Sequence, residues 1–280
     1  YYVVTASWFA WPAWPLALWA LWSRRKTLLE PRTFVPLAAL VLSLSAVALA
    51  GPAQDINCIV LLPPLALLAA QGIGALRRGA ANALDWFGVM TFTFFAALVW
   101  LGYVSMMTGL PPRIAKNFIK AAPGFAPQFE LLPFLVALAL AAGWLVLVAW
   151  TKPSPTRGVL RWAGGIALLW GTFATLWLPW ADYQKSYRAV ALQLKSKIPT
   201  GAKCIARSSL GTAQRAALGY HAGIRTQPFS RSKPAACPLL IVQGSPQHER
   251  DAAGAGWVKL ADVGRPRDRD ERFRLYQYKP

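Results

Sequence analysis

The stretch that decides the fold runs Leu131-Leu-Pro-Phe-Leu-Val-Ala-Leu-Ala-Leu-Ala-Ala-Gly-Trp-Leu-Val-Leu-Val-Ala-Trp150, with no charged residue in it. About 20 consecutive apolar residues are what a helix needs to cross a hydrocarbon layer of roughly 30 Å, where no water is present to satisfy backbone polar groups. Working outward in both directions, five further runs qualify: Tyr2 to Trp22, Thr33 to Ala50, Ile56 to Leu76, Leu84 to Met107 and Leu160 to Leu178. No comparable run follows Trp180.

The composition agrees. Of 280 residues, 55% are hydrophobic, 15% are charged and 14 are tryptophan, yet 30 Lys and Arg stand against 11 Asp and Glu, for a formal charge of +19. A soluble domain keeps roughly 25% charged residues, and the mean hydropathy here is +0.35. These figures exclude a disordered chain and an ordinary cytosolic domain. A nucleic-acid binder gathers its cations on one folded face, whereas this chain has long stretches with none. The opening Tyr1-Tyr2 lacks the basic leading region and cleavage pattern of a signal peptide, and the chain reads as a fragment or processed product.

Loops that stay in the cytoplasm retain Lys and Arg. Arg24, Arg25, Lys26 and Arg32 follow the first run, Arg77 and Arg78 the third, and Lys152, Arg157 and Arg161 the fifth. These nine face only Arg113, Lys116 and Lys120 in the alternate loops, all between Gly109 and Glu130. The expected topology therefore puts Tyr1 and everything after Trp180 on the extracytoplasmic face. Pro63-Pro64 in the third run and Pro12 and Pro15 in the first remove backbone donors and predict kinks. Such bends are either tolerated by packing or open a cavity toward the outer leaflet.

From Ala181 to Pro280 the character changes: 18 Lys and Arg against 7 Asp and Glu, with weak hydrophobicity. The expected organisation is a six-helix transmembrane domain over 1–180 and a soluble extracytoplasmic domain over 181–280. Tyr183 to Ile198 predicts an amphipathic helix that stops at Pro199-Thr200-Gly201. Thr212 to Tyr220 predicts a second helix. Strands are predicted at Lys203 to Arg207, Pro238 to Gln243, Val258 to Ala261 and Phe273 to Tyr278, which makes this a small α/β or α+β domain. Cys204 opens the first strand and Cys237 precedes the apolar one; either they form a disulfide in an oxidising compartment or they are two unrelated thiols. Cys58, inside a run, reads as an inert small apolar residue.

Chemistry-bearing motifs are few. His221 and His248 have no second ligand at useful spacing, no nucleophile elbow or P-loop occurs, and Gly72-Ile-Gly74 lacks the rest of a dinucleotide fingerprint. No cofactor or metal is expected. Asp55, just before the third run, either caps a helix beginning near Ile56 or presents a cavity carboxylate able to act as a base or orient a substrate. Arg113, Lys116 and Lys120 fall at spacings that share one helical face beside Ile114, Phe118 and Ile119. That segment is either a generic interfacial helix or a clamp on the phosphate of a lipid-linked substrate.

Asp55-Ile-Asn-Cys-Ile-Val-Leu-Leu-Pro-Pro-Leu-Ala-Leu-Leu-Ala-Ala70, with Leu76-Arg-Arg-Gly79, Ala83-Leu-Asp-Trp-Phe-Gly88, the two cysteines and the closing Gly264-Arg-Pro-Arg-Asp-Arg-Asp-Glu-Arg-Phe-Arg-Leu-Tyr276, resembles the carboxyl-terminal half of bacterial GT-C superfamily glycosyltransferases, the relatives of protein O-mannosyltransferases and of the lipid A aminoarabinose transferase. The resemblance implies a multi-pass protein of a bacterial inner membrane with a periplasmic domain. It implies transfer of a sugar from a polyprenyl-phosphate carrier to a glycan, lipid or protein acceptor, with membrane lipids as the other partners and no nucleic acid. In that family the catalytic acidic residue lies in the first periplasmic loop of the amino-terminal half, so no catalytic residue carries over and this chain alone is expected to be inactive. The family often has a basic residue before the proline-broken helix, where this chain has Gln54-Asp55-Ile56-Asn57. Two other classes compete: a non-catalytic membrane-anchored module that binds or assembles envelope components through its basic soluble domain, and a transporter subunit, which would want ionisable groups at mid-membrane.

Overall fold

The computed structural model describes residues 1–49, 54–154, 156–202, 204–230, 237–244, 254, 256–265, 268 and 271–279. It is 66% helical, with a small mixed sheet in the carboxyl-terminal part. Five helical stretches are long and apolar enough to cross a membrane: Pro31–Leu49, Asp55–Ile73, Arg78–Thr108, Leu131–Trp150 and Arg157–Leu176.

The first apolar run does not form a sixth. It is divided into α1 (Tyr2–Phe9) and α2 (Ala13–Ser23), with Pro12 as the residue that caps α2. A proline at that junction has no N–H to give the preceding turn, so the helix stops and restarts. The chain continues through α3 (Pro31–Leu49) and a 3-10 helix, Asp55–Leu61, into α4 (Leu62–Ile73). Pro63 and Pro64 fall in the first turn of α4, where the missing donors would be unpaired in any case. The change of helical winding is placed just before them. α5 (Arg78–Thr108), α6 (Pro112–Ala121), α7 (Leu131–Trp150) and α8 (Arg157–Leu176) follow.

The fold separates into two compact units, Tyr1–Ala96 with Ala139–Trp170, and Ala97–Leu138 with Gly171–Pro280. In the first, α2 packs on α4 through Ala17, Leu65, Leu68 and Ala69. α3 is tied to α4 where Thr33 Oγ1 donates to Gln71 Oε1 at 3.0 Å and Gln71 Nε2 donates to Arg32 O at 2.7 Å. A second cluster joins α5, α7 and α8 through Phe92, Trp144, Trp162 and Leu168. Its indoles are satisfied, Trp162 by Leu84 O at 2.9 Å and Trp144 by Thr93 Oγ1 at 3.0 Å, as buried indole N–H groups require.

In the second unit, α9 (Leu178–Lys185) and α10 (Arg188–Lys197) occupy the place of the single helix predicted over Tyr183 to Ile198. Ser186 is extended, and its Oγ accepts from Arg188 N at 3.2 Å, restarting the helix one turn on. Then come β1 (Ile205–Ser208), α11 (Thr212–Ala222), β2 (Gln227–Pro228), β3 (Leu239–Gly244), β4 (Trp257–Gly264) and β5 (Arg272–Tyr278). The sheet order is β2-β1-β3-β5-β4, parallel across the first three and antiparallel across β3, β5 and β4. Successive side chains in a strand face opposite ways, and both faces of β3 are buried. Leu239 and Ile241 join Phe273 and Leu275 under α10 and α11, while Leu240 and Val242 join Ala206 and Tyr276 on the other face. That is why the run Leu239-Leu-Ile-Val242 does not alternate.

Candidate substrate cavity

The second unit contains a cavity of about 210 Å³ where the last turns of α5 and α8, the start of α9 and the segment 122–133 converge. Gly102 lets this packing happen. A Cβ there would lie 2.3 Å from Trp177 Cζ2, so only glycine allows the edge of the indole to approach α5 this closely. The same indole donates to Val99 O at 2.9 Å. Phe118 of α6 then stacks edge-on against Trp177 and Trp180, with centroids at 5.1 and 5.2 Å. On the far side Tyr183 donates to Pro123 O at 2.9 Å, fixing α9 to the segment that forms the rim.

The walls are apolar, among them Met106, Met107, Phe125 and Leu178, and the polar groups are few: Tyr103, Gln128, Glu130, Thr175 and Trp180. Thr175 is already engaged, since its Oγ1 donates to Gly171 O at 2.7 Å in its own helix. Trp180 Nε1 is buried with no partner among the described residues. Glu130 is exposed at the rim and makes no ion pair among the described residues. The site thus offers one carboxylate, one phenol, one amide and one indole N–H with no partner among the described residues, against apolar walls. It lies below the roughly 300–1,000 Å³ of whole-ligand pockets, so it suits one section of an amphiphilic molecule whose remainder lies outside.

The cations expected to bind phosphate are on α6. Arg113, Lys116 and Lys120 are exposed, and none of them lines the cavity; the apolar side of α6, with Ala115, Phe118 and Ile119, borders a second hollow of about 70 Å³. Asp55 belongs to the first unit. It is the first residue of the 3-10 helix rather than its cap, and its carboxylate accepts from the Tyr1 hydroxyl. The cap position is Gln54, with no side-chain capping bond. Cys204 and Cys237 form a disulfide between the residue just ahead of β1 and a residue two positions ahead of β3, with Cα atoms 5.0 Å apart. His221 is half-buried at the end of α11, and His248 lies outside the described residues. Among the described residues no group of three or more His, Cys, Asp or Glu is arranged to hold a metal ion.

Tyr103, Glu130 and Trp180 were not singled out by the sequence, because they come from three elements whose meeting leaves no local pattern. The one signal was indirect, since Glu130 closes the charged segment between the fourth and fifth runs. The chain matches no protein-family model, no curated protein and no solved structure.

Proposed function

We propose that this chain is the carboxyl-terminal part of an integral-membrane glycosyltransferase that uses a polyprenyl-phosphate-linked sugar, with its sheet-bearing domain on the extracytoplasmic side of a bacterial inner membrane. The observation that carries the reading is the apolar cavity with Glu130 and Tyr103 beside an amphipathic α6 whose exposed residues include Arg113, Lys116 and Lys120. Inverting transfer needs cations to hold the departing lipid phosphate and a carboxylate to deprotonate the acceptor. On this reading the α6 cations take the phosphate at the headgroup level. The apolar walls receive the first units of the prenyl chain, and Glu130 and Tyr103 orient sugar hydroxyls. The carboxylate that deprotonates the acceptor is not assigned to this chain.

The test uses membranes containing the full-length protein and a radiolabelled polyprenyl-phosphate sugar, with glycan, lipid and protein acceptors supplied in parallel. Transfer should occur, and Arg113→Gln with Lys116→Gln should raise the KM for donor more than it lowers kcat. A photoreactive polyprenyl phosphate should label residues between 103 and 130 in this chain. Donor binding without transfer to any acceptor would instead identify a non-catalytic module.

A further inference from the structure

A second apolar recess belongs to the first unit and plays no part in the cavity described above. It is a groove of about 590 Å³, with Leu16 and Trp19 of α2 on one wall and Ala80 and Ala83 of α5 on the other. Trp11 and Phe87 meet edge to face at 6.4 Å at one end. The opposite end is therefore where α2 runs out and α5 begins. α2 runs out into Arg24-Arg25-Lys26 and α5 opens on Arg77-Arg78. None of these five cations lines the groove itself; along the chain they follow Trp19 and Leu76, which do. None of the five makes an ion pair among the described residues, and Arg25, Lys26, Arg77 and Arg78 are exposed. Trp19 Nε1 is buried and has no partner among the described residues.

We infer that this groove binds an anionic glycerophospholipid, its acyl chain between α2 and α5 and its phosphate among the five cations. The charge decides the occupant. Arg25 donates to Trp22 O at 3.1 Å and lies over that ring, but an uncharged lipid would fill the slot and leave all five cations without an anion, whereas an anionic headgroup near clustered Lys and Arg gains roughly 1 kcal/mol per cation near the membrane surface. The groove is within the roughly 300–1,000 Å³ of pockets that hold a whole small molecule, and an ester oxygen at the depth of Trp19 gives the orphan indole N–H its acceptor. Ala80 and Ala83, three apart on one helical face, leave the space open.

The inference rests on the reading that the chain spans a membrane, so the experiment separates the two. The full chain, purified in detergent, is offered equal amounts of dioleoyl-phosphatidylglycerol and dioleoyl-phosphatidylcholine, and retained lipid is counted by native mass spectrometry. Retention of phosphatidylglycerol should exceed that of phosphatidylcholine about fivefold or more, the factor that one cation beside an anionic headgroup supplies. Arg77→Gln with Arg78→Gln should bring the ratio toward one, and Arg77→Lys with Arg78→Lys should keep it. Ala83→Trp, at an exposed position that fills the groove, should reduce retention of both lipids. Equal retention by the unaltered chain, or a preference that neither the Gln pair nor Ala83→Trp changes, overturns the inference. Alkaline carbonate extraction of the same membranes tests the underlying reading: a chain that stays with the membrane but shows no lipid preference refutes the groove alone, and a chain that is extracted refutes the span itself.

Discussion

Asp85 Oδ2 lies 2.7 Å from Arg157 NH2, and the carboxylate is only 3% exposed. Arg161 reaches the same oxygen at 2.9 Å while also donating to Val148 O at 2.6 Å. One buried carboxylate therefore pins the start of α8 to α5. Its Oδ1 has no partner among the described residues, and Asp85 is among the residues lining a hollow of about 20 Å³, room for a single water molecule. Removing one partner of a buried pair leaves uncompensated charge and costs about 3–5 kcal/mol, while apolar replacement of the whole pair is often near neutral. Asp85→Asn should lower the thermal midpoint of the detergent-purified protein sharply, and Asp85→Leu with both Arg157→Met and Arg161→Met should recover most of the loss. An Asp85→Asn protein that melts with the unaltered one would show that the pair holds nothing together.

The bare backbone at Gly102 supports the cavity through Trp177. A side chain there meets Trp177 Cζ2 at 2.3 Å and Phe118 Cζ at 3.2 Å. Overpacking of this kind costs about 1–3 kcal/mol. Gly102→Val should destabilise the protein by that amount and weaken photolabelling by a polyprenyl phosphate, because Phe118 and Trp180 move with the indole. Shrinking the neighbour should help: Gly102→Ala with Trp177→Leu should be less destabilised than the two single changes add up to. Strict additivity would place the two residues out of contact.

Much of the fold could be read from local pattern because the physics acting there is local. Leu131 to Trp150 is α7 with the same limits, since a helix satisfies the backbone of a long uninterrupted apolar run within the segment itself. Where one residue's chemistry overrides the average, hydropathy misleads. The first run reads as a span, but Pro12 breaks it, and Ser186 breaks the amphipathic helix after Trp180. Arg157 and Arg161 read as loop cations and are instead residues of α8 closing on a carboxylate more than 70 positions earlier. The α6 cations were legible because their spacing is helical. The cavity was not, for Tyr103, Glu130 and Trp180 share nothing in sequence, only a meeting place.

The disulfide makes a direct prediction about compartment and stability. Cys204 and Cys237 are 33 positions apart, and closing a loop of that size is worth roughly 3–4 kcal/mol in the chain-entropy model. Protein taken from cells with free thiols blocked at lysis should carry one blocked cysteine, Cys58, before reduction and three after it. Cys204→Ser should lower the denaturation midpoint, and Cys237→Ser should lower it to the same extent. Two further blocked thiols before reduction would mean that the bond does not form in the cell.

Tyr187 gives the sheet-bearing part of the second unit an alkaline limit. Its hydroxyl donates to Glu271 Oε2 at 3.0 Å and accepts from Gln214 Nε2 at 3.2 Å, beneath Arg265 at 4.8 Å from the ring centroid. Burial, and then the bond to Glu271, push the phenol above its ordinary value of about 10. The folded state therefore holds this proton more tightly than the unfolded chain. The stability it contributes is complete below about pH 10 and drains away as pH rises through the raised folded value. Denaturant midpoints of the whole protein, followed by the near-ultraviolet dichroism of its aromatic residues, should be level from pH 7 to about 9 and fall beyond 10. Tyr187→Phe loses a hydrogen bond to a charged group, worth about 1.5–3 kcal/mol at neutral pH, so the variant starts lower. It should also fall less steeply in alkali, so that the two curves converge. Parallel curves for the two proteins across that range would mean that the Tyr187 proton is not linked to folding.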